Sequence, residues 1–341
     1  MSRKKIGFLS FGHYRNVPGA RVPDARTSLL NHVEIAVGAE EAGIDGAWLR
    51  VHHFDQSLSA PIPLLTAMAM RTTRLEVGTG VVDMRYENPL YLASEASALD
   101  LLSGGRLQLG VSRGSPEPAA DGQAAFGYTL EDGESWNSVT RERTALFRRA
   151  IAGEPVAHSQ RAMDWGREPD LPIEPHSPAL GARLWWGAGS TPTGVWAGQQ
   201  GMNLLSSTLL LQDDGRPFHV QQADQIAQYR AARAEAGLGA GLAAVTRSAF
   251  PLVNDDDRRY FLREQGSSDG VGFLDGSAAR SGPSYVGEPE EVAEMFTADE
   301  AIMAADYVLF ALPSQLGVDY NVHLLSNLAA IWRDLGWTAE S

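Results

Sequence analysis

Between Arg74 and Gly114 the sequence runs strand, helix, strand, with connections suited to a parallel crossover. Arg74-Leu75-Glu76-Val77-Gly78-Thr79-Gly80-Val81-Val82 is a β-branched run that ends among small residues, as a buried strand does where it reaches a crowded place. Pro89 suits the first turn of a helix. Leu92, Ala96, Leu99 and Leu102 then recur at helical spacing until Ser103-Gly104-Gly105 stops it. Residues 106–114 form the second strand, which finishes in the polar, cationic tip Ser112-Arg113-Gly114. In parallel α/β proteins ligands bind at the carboxyl ends of the strands, because the loops there can carry polar groups while the strands below are packed. Thr79, Gly80, Ser112 and Arg113 are therefore candidate site residues.

The same alternation spans the chain. Strands are expected at 6–11, 46–51, 183–189, 201–206, 242–250 and 307–310 in addition to the two above. Helices are expected at 28–42, 61–70, 90–102, 136–152, 195–200, 220–236, 288–305 and 323–335. Eight strands, each followed by a helix, close a (β/α)₈ TIM barrel, and a length of 341 residues fits one such domain over 1–341 with insertions. The insertions are a Pro-, Gly- and acid-rich loop at 115–136, a proline-rich extended stretch at 155–178 and a broken segment at 254–285. A segment of the last kind inside a compact domain reads as a mobile lid.

Composition narrows the partners. With 42 acidic against 28 basic residues and a net charge of −14, the chain lacks the basic patch that nucleic acid or an anionic membrane surface needs. No apolar run approaches the ~18–20 residues of a membrane span, and the basic start is followed by too short an apolar run for a signal peptide. The absence of cysteine removes disulfides, thiolate metal sites and thiol nucleophiles. A cytoplasmic enzyme acting on a small molecule is the expectation.

Two clusters carry chemistry. Gly189 ends a strand, and Ser190, Thr193 and Gly194 open the following helix, so N–H groups, hydroxyls and the positive helix end converge as in a phosphate site. Ordinary N-capping is the competing reading. An arginine at position 113 would face the same mouth, with a guanidinium suited to phosphate. His52 and His53 follow the second strand, and one of them can turn to the mouth as a general acid or base. With Asp55 they are also a weak metal set that would suit a barrel hydrolase. Trp48, Trp185 and Trp186 read as packing, and His13, His158, His176 and His219 as surface residues.

Taken together, Gly46-Ala47-Trp48-Leu49-Arg50-Val51-His52-His53-Phe54, Val77-Gly78-Thr79-Gly80-Val81-Val82, Asn88-Pro89, Leu102-Ser103-Gly104-Gly105-Arg106, Gly110-Val111-Ser112-Arg113-Gly114 and the segment 190–201 resemble the bacterial luciferase-like, flavin-dependent monooxygenases. The resemblance implies a barrel that holds reduced FMN at its carboxyl mouth, with the ring near strands two to four and the phosphate near Arg113, Ser190, Thr193 and Gly194. It implies proton transfer by His52, a cis peptide at Gly80-Val81 behind the ring, and Ser112 in place of luciferase's reactive cysteine. It further implies a lid at 254–285, a homodimer, and a separate flavin reductase as transient partner. The absence of a Gly-x-Gly-x-x-Gly fingerprint agrees with an external supply of reduced cofactor. Within the same fold, an F420-dependent hydride-transfer enzyme is the alternative, and a flavin-binding protein without turnover is another. Two positions depart from the pattern: Val51 stands where an acid often precedes the histidines, so any carboxylate support for His52 must come from elsewhere, and Gly189 stands where luciferase has an acid.

Overall fold

The computed structural model describes residues 3–114, 117–159, 170–211, 213–274 and 277–338. Eight strands make the barrel: β1 (Lys5–Ser10), β2 (Gly46–Leu49), β3 (Glu76–Thr79), β4 (Leu107–Ser112), β5 (Leu184–Ala188), β6 (Asn203–Ser206), β7 (Ala243–Pro251) and β8 (Tyr307–Ala311). Each is parallel to the next, and β8 pairs with β1 to close the ring. The outer helices are α1 (Ala25–Ala42), α2 (Pro61–Arg71), α3 (Pro89–Leu102), α4 (Trp136–Ile151), α5 (Thr191–Gln199), α6 (Phe218–Glu235), α7 (Pro289–Ala298) and α8 (Val318–Asp334). The expected (β/α)₈ barrel is therefore the observed one.

Local chemistry sets several boundaries. Asp24 accepts from Thr27 N–H to start α1, and Gly43, at φ 94°, ends it in the left-handed conformation that glycine tolerates. Asn88 accepts from the N–H groups of Leu90 and Tyr91, with Pro89 in the first turn of α3.

The molecule has two apolar compartments. The larger lies between strands and helices. The smaller fills the barrel and consists of Leu9, Trp48, Trp185, Leu205, Ala244, Tyr307 and Leu309, with Val81 against it. Trp48 meets Trp185 and Tyr307 edge to face, with ring centroids 5.4 and 5.5 Å apart. Gly78 makes room for this packing, because a Cβ there would stand 2.9 Å from the Trp48 ring. Beneath the rings, Glu76 Oε1 accepts from Lys5 Nζ at 2.6 Å and from Gln108 Nε2 at 3.0 Å, and Trp185 Nε1 donates to Gln108 Oε1 at 2.8 Å. The amino end is thus plugged, and a cavity opens above Leu9, Val81 and Leu205.

The insertions differ from the expectation. The described residues of 254–285 are not weakly structured: they hold a helix, Asp255–Phe261, and strands Gly270–Leu274 and Ser277–Ser281, which pair with each other, the second also pairing with Leu209–Leu211. Asn254 and Asp257 form a reciprocal cap, so the acidic run that resembles a break starts a helix. The helix expected over 288–305 is split at Asp299, whose carboxylate accepts from Ile302 N–H and pairs with Arg247 of β7 at 2.6 Å. The loop at 115–136 contains one short helix, Gly122–Ala125, and the 155–178 stretch a two-stranded ribbon, Ala157–His158 with Asp170–Leu171. Among the described residues no helix is long and apolar enough to cross a membrane.

Candidate active site

A cavity of about 330 Å³ opens at the carboxyl ends of the strands, within the range of ligand sites of roughly 300–1,000 Å³. Leu9, Gly80, Val81, Leu205 and Thr246 line it from the barrel side. The Gly80-Val81 peptide is cis. A Cβ on Gly80 would come 3.0 Å from Leu9 Cδ1, and one on Gly187 would come 3.0 Å from Val81 Cγ1, so these two glycines keep the wall flat.

Arg113, Ser190 and Thr193 line the same cavity, as do Ser112, Gly187 and Gly189. Ser190 occupies the N-cap position of α5, yet its side chain bonds no helix N–H; its Oγ lies 2.9 Å from Thr193 Oγ1 instead. The first turn of α5 therefore keeps its donors for something else. Arg141 of α4, which sequence patterning leaves as one helical arginine among several, lies on the same wall with its guanidinium 4.3 Å from the Trp196 ring centre. Among the described residues neither Arg113 nor Arg141 has a carboxylate within 4.0 Å, so both charges face the cavity without an ionic partner. Two arginines, two hydroxyls and a helix N-terminus form a donor set suited to a phosphate monoester.

The cavity also holds titratable groups. Arg50, Asp83 and Glu117 line the cavity. His52 does not: it sits behind Arg50 and Glu117, stacked on Phe11 with ring centroids 6.1 Å apart. Arg50 Nε donates to His52 Nε2 at 2.9 Å. His52 Nδ1 lies 3.3 Å from Glu117 Oε1. Glu117 Oε2 accepts from the His53 backbone N–H at 3.0 Å. Burial, reinforced by the neighbouring Arg50 charge, lowers the His52 pKa to about 4. Burial and then the Asp83 charge raise Glu117 to about 7, against the pull of the His53 N–H, Arg85 and Arg50. The carboxylate that Val51 fails to provide is thus supplied from the loop after β4. No periodic or motif signal marks Glu117 there; its only cue is an acid four residues beyond the cationic strand tip.

Three of the expected residues stand elsewhere. His52 turns away from the cavity because the chain leaves β2 at Leu49 and its N–H bonds back to Leu58 O at 2.9 Å. Thr79 is fully buried and ties β3 to β4, donating to Gly110 O at 2.8 Å and accepting from Gly110 N–H at 3.0 Å. Gly194 faces Gln225 and Leu204 and closes α5 against its neighbours. His52, His53 and Asp55 make no metal set, since among the described residues no three His, Asp or Glu are placed to hold an ion.

A family model described as luciferase-like monooxygenase matches residues 6–261. Among curated proteins, 4-hydroxyprotoasukamycin monooxygenase of Streptomyces nodosus subsp. asukaensis is 33% identical over 208 residues, 58% of this chain and 52% of its own. An F420-dependent glucose-6-phosphate dehydrogenase of Kineococcus radiotolerans is 29% identical over 197 residues, 52% of this chain and 55% of its own. The chain thus spans about half the length of these curated relatives. Among solved structures, the oxygenating constituent of 3,6-diketocamphane monooxygenase from the CAM plasmid of Pseudomonas putida, in complex with FMN, superposes with a TM-score of 0.68 at 16% identity, covering 96% of this chain and 97% of that one. That likeness shows the fold, and the match over residues 6–261 shows the family: the chain belongs to the luciferase-like monooxygenases.

Proposed function

We propose that this chain is the oxygenase component of a two-component flavin-dependent monooxygenase, taking reduced FMN from a separate reductase and oxygenating a small organic substrate. The observation that carries the reading is the cavity wall on which Arg113, Ser190 and Thr193 converge opposite Gly80-Val81. Arg113, Arg141, the two hydroxyls and the α5 N-terminus would hold the phosphate, and the flat wall at Gly80, Val81 and Gly187 would take the ring. Reduced FMN would supply two electrons to dioxygen, one oxygen atom passing to substrate and the other to water. The chain's own part is to bind, to keep water out and to manage protons at the wall formed by Arg50, Asp83 and Glu117. The small sheet formed by Leu209–Leu211 and the two strands of the 254–285 insertion stands over the cavity edge, where Leu209 and Leu211 line it, and would serve as the lid. Leu30, Met70, Tyr91 and Leu101 stand exposed on α1, α2 and α3 and form the face a homodimer would cover.

The test is equilibrium binding of FMN, photoreduced FMN and F420 to the purified chain, followed by oxygen uptake with photoreduced FMN. The expected result is saturable FMN binding and protein-dependent oxygen consumption. Tight F420 binding with no FMN affinity would replace this reading by F420-dependent hydride transfer, which the Kineococcus relative favours. FMN binding with no change in the oxygen reaction would leave a flavin-binding protein.

A further inference from the structure

Glu117 lines the cavity and stands against the histidine pair, accepting from the His53 N–H with His52 Nδ1 3.3 Å away. An arginine Nε can only donate, so the 2.9 Å contact from Arg50 makes His52 Nε2 an acceptor. The imidazole is then neutral, with its hydrogen on Nδ1, 3.3 Å from Glu117 Oε1. On the other carboxyl oxygen the His53 N–H donates at 3.0 Å. Glu117 thus faces the cavity in front and is held from behind by the His53 N–H, with His52 Nδ1 3.3 Å away, while its side chain is only 3% exposed. His52 cannot pass a proton through its ring while Arg50 occupies Nε2, and no part of it lines the cavity.

We propose that Glu117 carries the proton of this site and that His52 is a positioning residue, kept neutral by Arg50 so that its Nδ1–H steadies the Glu117 carboxylate. In the forward direction the O–H bond of the Glu117 carboxylic acid breaks, an O–H bond forms on a reactant oxygen in the cavity, and the carboxylate left behind keeps its bond from the His53 N–H and the nearby His52 Nδ1–H dipole. The reverse transfer restores the acid. The charged and titratable groups around Glu117 are Arg50, His52 and His53 beyond β2, Asp83, Arg85 and Tyr86 beyond β3, and Arg113 at the end of β4. Desolvation and Asp83 favour the protonated carboxyl; Arg85, Arg50 and the His53 N–H oppose them, with the balance near neutrality, where an acid–base group is most effective.

The proposal rests on the oxygenase reading for its reactant, but half of its test does not. In the cofactor-free protein, infrared difference spectra of wild type against Glu117→Gln, recorded across pH, should show one carboxyl titrating near neutrality that the variant lacks. His52→Ala should move that midpoint upward, because the carboxylate loses the N–H dipole 3.3 Å from its Oε1. A Glu117 carboxylate ionised throughout the neutral range, or a midpoint indifferent to His52, would overturn the assignment. With photoreduced FMN bound, Glu117→Gln should slow reoxidation by oxygen about 10²–10⁴-fold and remove the limb of the pH profile near neutrality. Glu117→Asp should restore part of the rate, and FMN affinity should hold within about two-fold, since no phosphate-facing donor has changed. Equal losses in His52→Ala and Glu117→Gln with an unmoved profile would return the proton to His52. Failure of wild type to bind FMN would sink the oxygenase reading, while the cofactor-free titration would still decide the role of Glu117.

Discussion

The amino end of the barrel and its carboxyl mouth use the same residue types to opposite ends. Around the closed end, Arg106 donates to the carbonyls of Ser103, Leu75, Ala69 and Thr72 and to the Thr72 hydroxyl, and Lys4 Nζ to those of Met303 and Ala305. Lys5 meets Glu76, and on the barrel's flank Arg247 meets Asp299 in a pair that is essentially inaccessible to water. At the mouth, Arg113 and Arg141 have no carboxylate partner among the described residues, and Glu117 accepts from the neutral His53 backbone N–H, with His52 Nδ1 3.3 Å away. Charge that is fully matched inside the chain closes and fastens the barrel; charge left unmatched inside a concave wall is available to a ligand.

The comparison breaks most readily at the matched set. Asp299→Ala strands the Arg247 guanidinium in the flank and also removes the acceptor of Tyr285 O–H and the cap of Ile302. Breaking a buried pair on one side costs about 3–5 kcal/mol, so urea unfolding should show a loss of that order, with FMN affinity of the remaining folded protein unchanged. A loss below about 1 kcal/mol would mean that the flank pair behaves like a surface one.

The unmatched set should respond the other way. Arg113→Ala should weaken FMN about 10- to 100-fold, the value of one or two charge-assisted bonds, and leave riboflavin affinity and unfolding unchanged within about 0.5 kcal/mol. Arg141→Ala should act in the same direction by no more than about five-fold, because this guanidinium is exposed and already stacked on Trp196. Equal losses of FMN and riboflavin would show that Arg113 does not meet the phosphate.

The difference between the two sets also explains what the sequence made legible. All eight strands could be placed because each is a short apolar run bounded by turn residues, and helix α3 because Asn88-Pro89 and Gly104-Gly105 punctuate it. Arg113 and Ser190 could be placed at the mouth for the same reason: they sit at strand and helix ends, whose direction the fold dictates. Thr79 and Gly194 sit at such ends too, but their contacts are with the neighbouring β4 and α6, which spacing along one strand or helix does not reveal. His52 was misplaced because β2 stops at Leu49, and alternation cannot be extended past a strand's last residue. Glu117 and Arg141 come from a loop and a solvent-facing helix turn, where nothing periodic singles out one residue. The 254–285 insertion misled because its helix and strands are each shorter than the window over which periodicity can be read.

The smallest effect concerns the proton-bearing wall itself and separates its two members by sign. His52, unfolded near 6.5 and folded near 4, resists protonation in the fold, so its contribution is present above the unfolded value and is lost as pH falls toward the folded one. Glu117, unfolded near 4.5 and folded near 7, prefers the proton in the fold, so its contribution is present below the unfolded value and is lost as pH rises through the folded one. Between about 4.5 and 6.5 the two slopes oppose each other. Glu117→Gln removes one of them: its midpoint should climb relative to wild type as pH rises from 4.5 to 7. His52→Ala removes the other, and its midpoint should gain on wild type as pH falls from 6.5 to 4. Asp83 and Glu87, also raised by burial, and His32 and His53, lowered by it, remain in all three proteins and cancel from the comparison. Parallel pH curves for the two variants would mean that the carboxyl and the imidazole titrate as one unit, and the division of labour between them would have to be withdrawn.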